Sequence, residues 1–311
     1  MTEERSKPYG LIGTITSDHI TWRSGRTREG LGGILYQASV LCGLGEDVSL
    51  ITNCSREIAS GVGSVTADWA TLRRDGLRIV PGPPNRVHLE YPERGERVEV
   101  LDSAVPPLSA DEIVPCLPGL GMLLLVLNSG FEIGLGDWRT VLRETSCPVW
   151  LDIHSLALEP VLGSRRRYRP LPEWRAWARG VTFLQANIHE AACMLGDPAG
   201  IPSEAELAEL AAGAFHEGVR AVFLTMGNNG VLVAEAGKTR RIVPSDAGET
   251  VDTTGCGDVF GAGTIAGLGR GRSPFDAAAF GAALASRAAS MSGIRETYEM
   301  AGACALRNIR G

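Results

Sequence analysis

Short, uniformly apolar runs punctuate this chain, and segments of helical spacing separate them. The runs are YGLIG (9–13), VSLIT (48–52), MLLLVL (122–127), PVWLDI (148–153), VTFLQA (181–186) and AVFLTMG (221–227). They are too short for helices and show no polar face, so they read as strands buried on both sides of a parallel sheet. Between them, GGILYQASVLCGLG (32–45), SVTADWATLRRDGL (64–77), DWRTVLRET (137–145), WRAWARG (174–180), HEAACMLG (189–196) and SEAELAELAAGAFHEG (203–218) read as helices, several closed by glycine. Two more helices follow residue 263. This alternation predicts an α/β fold, with a mostly parallel central sheet flanked by helices on both faces.

Three segments break the alternation. The 14–30 stretch is more polar and alternates over DHITW. RVHLEYPERGERVEVL (86–101) has two alternating segments around PERGE, a hairpin signal, and its charged face suits an exposed sheet. GVLVAEAGKTRRIVP (230–244) reads as another hairpin. The first two predict a small β-sheet lid, residues 14–30 and 86–101. It would cover a large α/β nucleotide- and substrate-binding domain, residues 1–13, 31–85 and 102–311. The basic, proline-punctuated GSRRRYRPLPEW (163–174) reads as a solvated loop.

Composition narrows the classes. Of 311 residues, 44% are hydrophobic and 21% charged, which supports a sizeable core and argues against disorder. A formal charge of −6 disfavours nucleic-acid and membrane-surface partners, and neither is expected. The longest dense apolar run is too short to span a bilayer, and MTEERSKPYG has no apolar signal region. Seven cysteines without CxxC spacing read as reduced thiols and argue against zinc. A cytoplasmic protein is expected.

The chemistry concentrates in VDTTGCGDVFGAG (251–263). Read as a helix mouth, its first N–H groups lack internal partners and carry partial positive charge. Glycines at 255 and 257 let a ligand approach that backbone, which makes an anion hole suited to phosphate. Asp258 then has two readings. It is a helix-start carboxylate, or it is the proton acceptor for an attacking hydroxyl.

VDTTGCGDVFGAG resembles the DTxGAGDxFxxG signature of the ribokinase-like (PfkB) family of carbohydrate and nucleoside kinases, with cysteine for the middle alanine. LGGILYQASVLCGLG resembles the family's GGxxxNxAxxxxxLG stretch, through Gly32 and Gly33. ANIHEAACMLG resembles its NxxE motif, through Asn187 and Glu190, and LTMGNNGVLV its TxGxxG element, through Thr225, Gly227 and Gly230. The similarity runs from about residue 9 to about 294.

The resemblance implies roles. Asp258 is expected as catalytic base, and the Gly255, Cys256 and Gly257 amides as the anion hole. Thr225, Gly227, Gly230, Asn187 and Ala282 are expected at ATP. Asn187 and Glu190 would govern Mg²⁺ through water, and Asp252 is a candidate holder of a monovalent cation such as K⁺. At the acceptor it implies Asp18, Gly32, Gly33 and Gln37, where Gln37 replaces the family's usual Asn. His88, with Arg86, is offered by the lid strand. Asn128, Ser129, Gly130, Asp152 and His154 lie at the ends of apparent strands. The expected reaction is transfer of the γ-phosphoryl group of ATP to a hydroxymethyl group of a small sugar or sugar-like acceptor. Two alternatives stand beside it: a nucleoside kinase, with the base in a slot near Trp22, Tyr36 and Leu89, and a catalytically silent ligand-binding relative. A homodimer through the lid is a candidate assembly.

Overall fold

In the computed structural model, which describes residues 7–92, 97–244 and 250–308, the apolar runs become the strands of one ten-stranded sheet. Fourteen strands are formed among the described residues: β1 (Tyr9–Ile12), β2 (Thr16–Trp22), β3 (Thr27–Leu31), β4 (Val48–Cys54), β5 (Leu72–Arg73), β6 (Leu77–Ile79), β7 (Asn85–Tyr91), β8 (Val98–Ser103), β9 (Met122–Val126), β10 (Val149–Asp152), β11 (Phe183–Asn187), β12 (Ala221–Thr225), β13 (Val231–Glu235) and β14 (Lys238–Ile242). The large sheet runs β14-β13-β12-β11-β10-β9-β1-β4-β5, with β6 also on β4. Its pairings are parallel except β12/β13 and β13/β14.

The helices are α1 (Leu35–Gly43), α2 (Arg56–Val65), α3 (Ala110–Ile113), α4 (Leu135–Glu144), α5 (Trp174–Ala178), α6 (Ile188–Leu195), α7 (Glu204–His216), α8 (Cys256–Gly269), α9 (Pro274–Ala288) and α10 (Ile294–Asn308). Neighbouring strand residues point to opposite faces and join two separate cores. Leu11, Leu124, Trp150 and Phe223 pack with α1, α8 and α9. Ile12, Leu123, Leu151 and Leu224 pack with α4, α5 and α7. Both faces are therefore covered, which is why these strands carry no polar alternation.

A separate four-stranded sheet runs β3-β2-β7-β8. Ile20, Val87, Leu89 and Leu101 form its apolar face. Its other face carries the pairs His19–Glu29 (3.1 Å) and His88–Asp102 (2.7 Å), so two such sheets would meet through polar contacts. Glu93–Glu96 of the PERGE turn lie outside the described residues.

Two local expectations fail. The helix expected over 64–77 lies earlier, at α2, where Ser55 caps it by accepting from Ile58 N. The Val65, Trp69, Leu72 spacing imitates a helix. Trp69 is instead buried against Tyr298, with ring centroids 4.9 Å apart, and the chain turns into β5 and β6. The basic 163–174 segment is also not a free loop. Arg166 is buried and ion-paired to Glu99 at 3.1 Å.

Candidate active site

The site lies where the C-terminal ends of β1, β9, β10 and β11 meet the small sheet and the start of α8, as expected for an open parallel sheet. Gly255 caps α8 with φ +78°, a conformation in which an L side chain is strained. A Cβ there would also stand 2.4 Å from the Tyr36 ring. Glycine thus lets the turn lie flat on α1. The Cys256 amide is not part of an anion hole, because it donates to Thr253 O at 3.2 Å and closes the turn. The Gly255 and Gly257 amides meet no backbone acceptor among the described residues. Burial pushes the Cys256 thiol up to about 12, so it is inert at neutral pH.

Asp258 sits one residue further, buried in the first turn of α8. Its carboxylate accepts from the Gln37 side-chain amide of α1. Burial raises its pKa to about 7, against the opposing pull of Arg97 and the Gln37 hydrogen bond. Asp18 of β2 is buried as well and lies at about 6, again chiefly through burial. Gly32 makes room for it, since a Cβ there would lie 1.9 Å from Asp18 Oδ2. Asp18 Oδ1 and Gln37 Oε1 are buried without a hydrogen-bond partner among the described residues. Asp18, Gly33, Tyr36, Thr254, Gly255 and Asp258 line one cavity of about 40 Å³, roofed by Val87 and Leu89 of the small sheet.

Behind Asp258, Gln185 of β11 donates to Asp152 Oδ2 and to Gly257 O, both at 3.0 Å. Asp152 has its pKa raised well above the usual range by burial, then by Glu190 and Asp258. Asn128 is spent on Thr14: it donates to Thr14 O and accepts from Thr14 N, both at 2.9 Å. Ser129 and Gly130 donate backbone N–H to Glu132. His154 lines the cavity with φ +41°, and burial with Arg97 and Arg166 nearby drives its pKa down to about 3.

Several expected residues lie elsewhere. His88 is half-exposed and pairs with Asp102, because alternation along β7 turns it and Arg86 away while Val87 and Leu89 face the cavity. Ala282 is buried in α9 within the apolar core and lines neither cavity. Thr225 ends β12, and Gly227 and Gly230 bracket the tight turn after it.

The implied ions fit unequally. Asn187 and Glu190 form the capping box of α6: Asn187 Oδ1 accepts from the His189 and Glu190 amides, and Glu190 accepts from Asn187 N at 2.7 Å. Asn187 therefore has no oxygen to spare for a metal. Glu190 borders a neighbouring cavity and, raised to about 7 by burial, fits a water-mediated contact. Among the described residues no cluster of three or more His, Cys, Asp or Glu could hold a metal ion directly. Asp252 does not fit a monovalent cation. The Arg28 guanidinium of β3 lies 3.2 Å from its Oδ2, while Thr254 N donates to its Oδ1 at 2.9 Å.

Sequence reasoning missed Arg97 and Arg28. Arg97 immediately precedes β8 and lines the cavity. Its signal was present in the alternation of RVEV, where the charged positions face inward. Arg28 carried no local signal, because its partner lies 224 positions away in sequence.

Residues 152–300 match the family model described as pfkB family carbohydrate kinase. No curated protein matches the chain in sequence. Solved structures that share its fold include the following three. A ribokinase from Arabidopsis thaliana, complexed with ribose and ATP, is 18% identical with TM-score 0.76, over 98% of this chain and 99% of that one. An adenosine kinase from Sinorhizobium meliloti is 17% identical with TM-score 0.77, over 97% and 99%. A pyrophosphate-dependent kinase of the ribokinase family, complexed with a pyrophosphate analogue and myo-inositol, is 19% identical with TM-score 0.74, over 94% and 99%.

Proposed function

We propose that this chain, a ribokinase-like phosphotransferase of the pfkB carbohydrate kinase family acting on an alcohol group, transfers the γ-phosphoryl group of ATP to a hydroxymethyl group of a small sugar or sugar-like molecule. One observation carries the reading: Asp258, Asp18 and the Gly255 turn face a single cavity.

The chemistry follows from positions and charges. Asp258 takes the proton of the attacking hydroxyl, and a pKa of about 7 suits that task near neutrality. The Gly255 and Gly257 amides, at the positive end of α8, hold charge that develops on the transferring group. Gln185 fixes the Gly257 carbonyl and thereby the tilt of the first turn. Asp18 Oδ1, on the cavity wall, is an acceptor in need of a donor, which matches a hydroxylated molecule. Mg²⁺ bound with the donor would neutralise phosphate charge, and Glu190 would hold it through water. Thr225, Gly227 and Gly230 would flank the phosphates of the donor.

The 40 Å³ cavity holds little more than a water molecule, so the small sheet must swing away for a sugar to bind. Its return excludes water from the transfer. The sugar reading is preferred over the nucleoside one. Trp22, the expected wall of a base slot, is stacked on Tyr91 and covered by Arg26 at 4.5 Å. A silent relative has no need of a buried carboxylate tuned to neutrality.

The test is ADP release with ATP and a panel of pentoses, hexoses, inositols, their anionic derivatives and nucleosides. ADP that depends on a sugar-like member is expected. Turnover with nucleosides alone, or with none of the panel, contradicts the proposal.

A further inference from the structure

We propose that a second cavity beside the first binds an anionic group carried by the acceptor, so that the preferred acceptor is a sugar bearing a phosphate or carboxylate. The inference rests on the kinase reading above and narrows its substrate class.

The second cavity measures about 320 Å³ and is lined by Arg97, Arg165, Arg166, Arg167, His154 and Tyr168, among others. Arg97, Glu99 and His154 line both cavities, so the two adjoin. Its charges do not cancel. Arg166 is neutralised, with Nη1 on Glu99 at 3.1 Å and its remaining nitrogens on the carbonyls of Glu159 and Ser155. Glu99 is shared with Arg97 at 3.5 Å. Arg165 and Arg167 are exposed and have no carboxylate partner among the described residues. The other carboxylate on the wall, Glu190, also accepts the α6 cap hydrogen bond and offsets at most one of the four arginine charges, as Glu99 offsets another. At least two guanidinium charges are thus left without a counter-charge, arranged for the planar recognition that phosphate and carboxylate favour.

The arginine run is held in place. Arg166 N donates to Glu99 O at 2.9 Å, and Arg165 bridges Val100, so the segment is pinned to β8 of the small sheet. Of the residues expected at the donor or its Mg²⁺, Glu190 alone lines this cavity. Thr225, Gly227, Gly230 and Ala282 line none of the cavity. It opens instead beside Pro198 and Ala199, after α6, on the sheet face opposite α8 and α9. A molecule with its hydroxyl at Asp258 and its body past His154 would bring a distal anion to Arg165 and Arg167.

The experiment compares glucose, glucose 1-phosphate and gluconate, and fructose with fructose 6-phosphate, each of which keeps a free hydroxymethyl group, on the native chain and on an Arg165→Ser/Arg167→Ser variant. Both side chains are exposed and outside the catalytic machinery, so folding and turnover of neutral sugars should persist. An anionic acceptor is expected to show a KM at least about tenfold below its neutral counterpart, and the variant to erase that advantage with kcat within about twofold. Whether the phosphate or the carboxylate gains identifies the anion. Calorimetric binding of the same compounds gives a readout that needs no turnover. Preference for the anions without ADP release would support the cavity and count against the kinase reading. Equal affinity for neutral and anionic compounds overturns the inference and leaves the kinase reading standing. A rise only in the KM for ATP assigns the cavity to the donor and also overturns it.

Discussion

The Gln37 side chain donates its amide to the Asp258 carboxylate. This joins the helix after the double glycine to the residue expected to take the proton. It also gives the glutamine a role different from the one read in sequence, where it stood at the acceptor.

The hydrogen bond favours the ionised form, so Gln37→Leu should raise the pKa of Asp258 further. The acid limb of the kcat profile is expected to move to higher pH, with kcat at pH 7 falling by about tenfold and recovering near pH 9. A pH–rate series on the variant checks this. An unmoved acid limb contradicts it.

Buried carboxylates also predict an unusual pH dependence of stability. Asp18, at about 6, and Asp258 and Glu190, at about 7, lie above their ordinary values of 3.8 and 4.5. Between pH 4 and pH 7 the folded chain therefore binds more protons than the unfolded one, and stability falls as pH rises. Thermal unfolding of the protein without substrates should show Tm declining from pH 5 to pH 8. Asp258→Asn should flatten part of that decline.

Arg28 predicts a third behaviour. Its guanidinium sits on Asp252 with Oη of Tyr36 at 3.1 Å, and Gly293 leaves it room. A tethered cation already neutralises the carboxylate, so turnover should be the same in K⁺ as in tetramethylammonium salts. Arg28→Gln should lower kcat/KM and introduce a response to K⁺. Dependence of the native chain on K⁺ contradicts the pairing.

Much of this was legible in the chain, for physical reasons that differ by residue. The central strands read cleanly because a sheet covered on both faces needs apolar side chains at every position. The place of Asp258 in the first turn of a helix read cleanly because a carboxylate and glycines at a helix mouth are a local pattern. What failed was non-local. Trp69 kept helical spacing but was claimed by Tyr298. His88 followed the strand alternation away from the cavity. Cys256 lost its amide to a turn, and Asp252 gained a partner from β3. Only the tertiary arrangement decides each of these.

The central claim is that Asp258 removes the acceptor proton at the mouth of α8. Steady-state kinetics of Asp258→Asn, on protein shown folded by circular dichroism, tests it most directly. A fall in kcat of about two to four decades, with loss of the titration near pH 7, is the expected result. Turnover within a few fold of the native chain would contradict it.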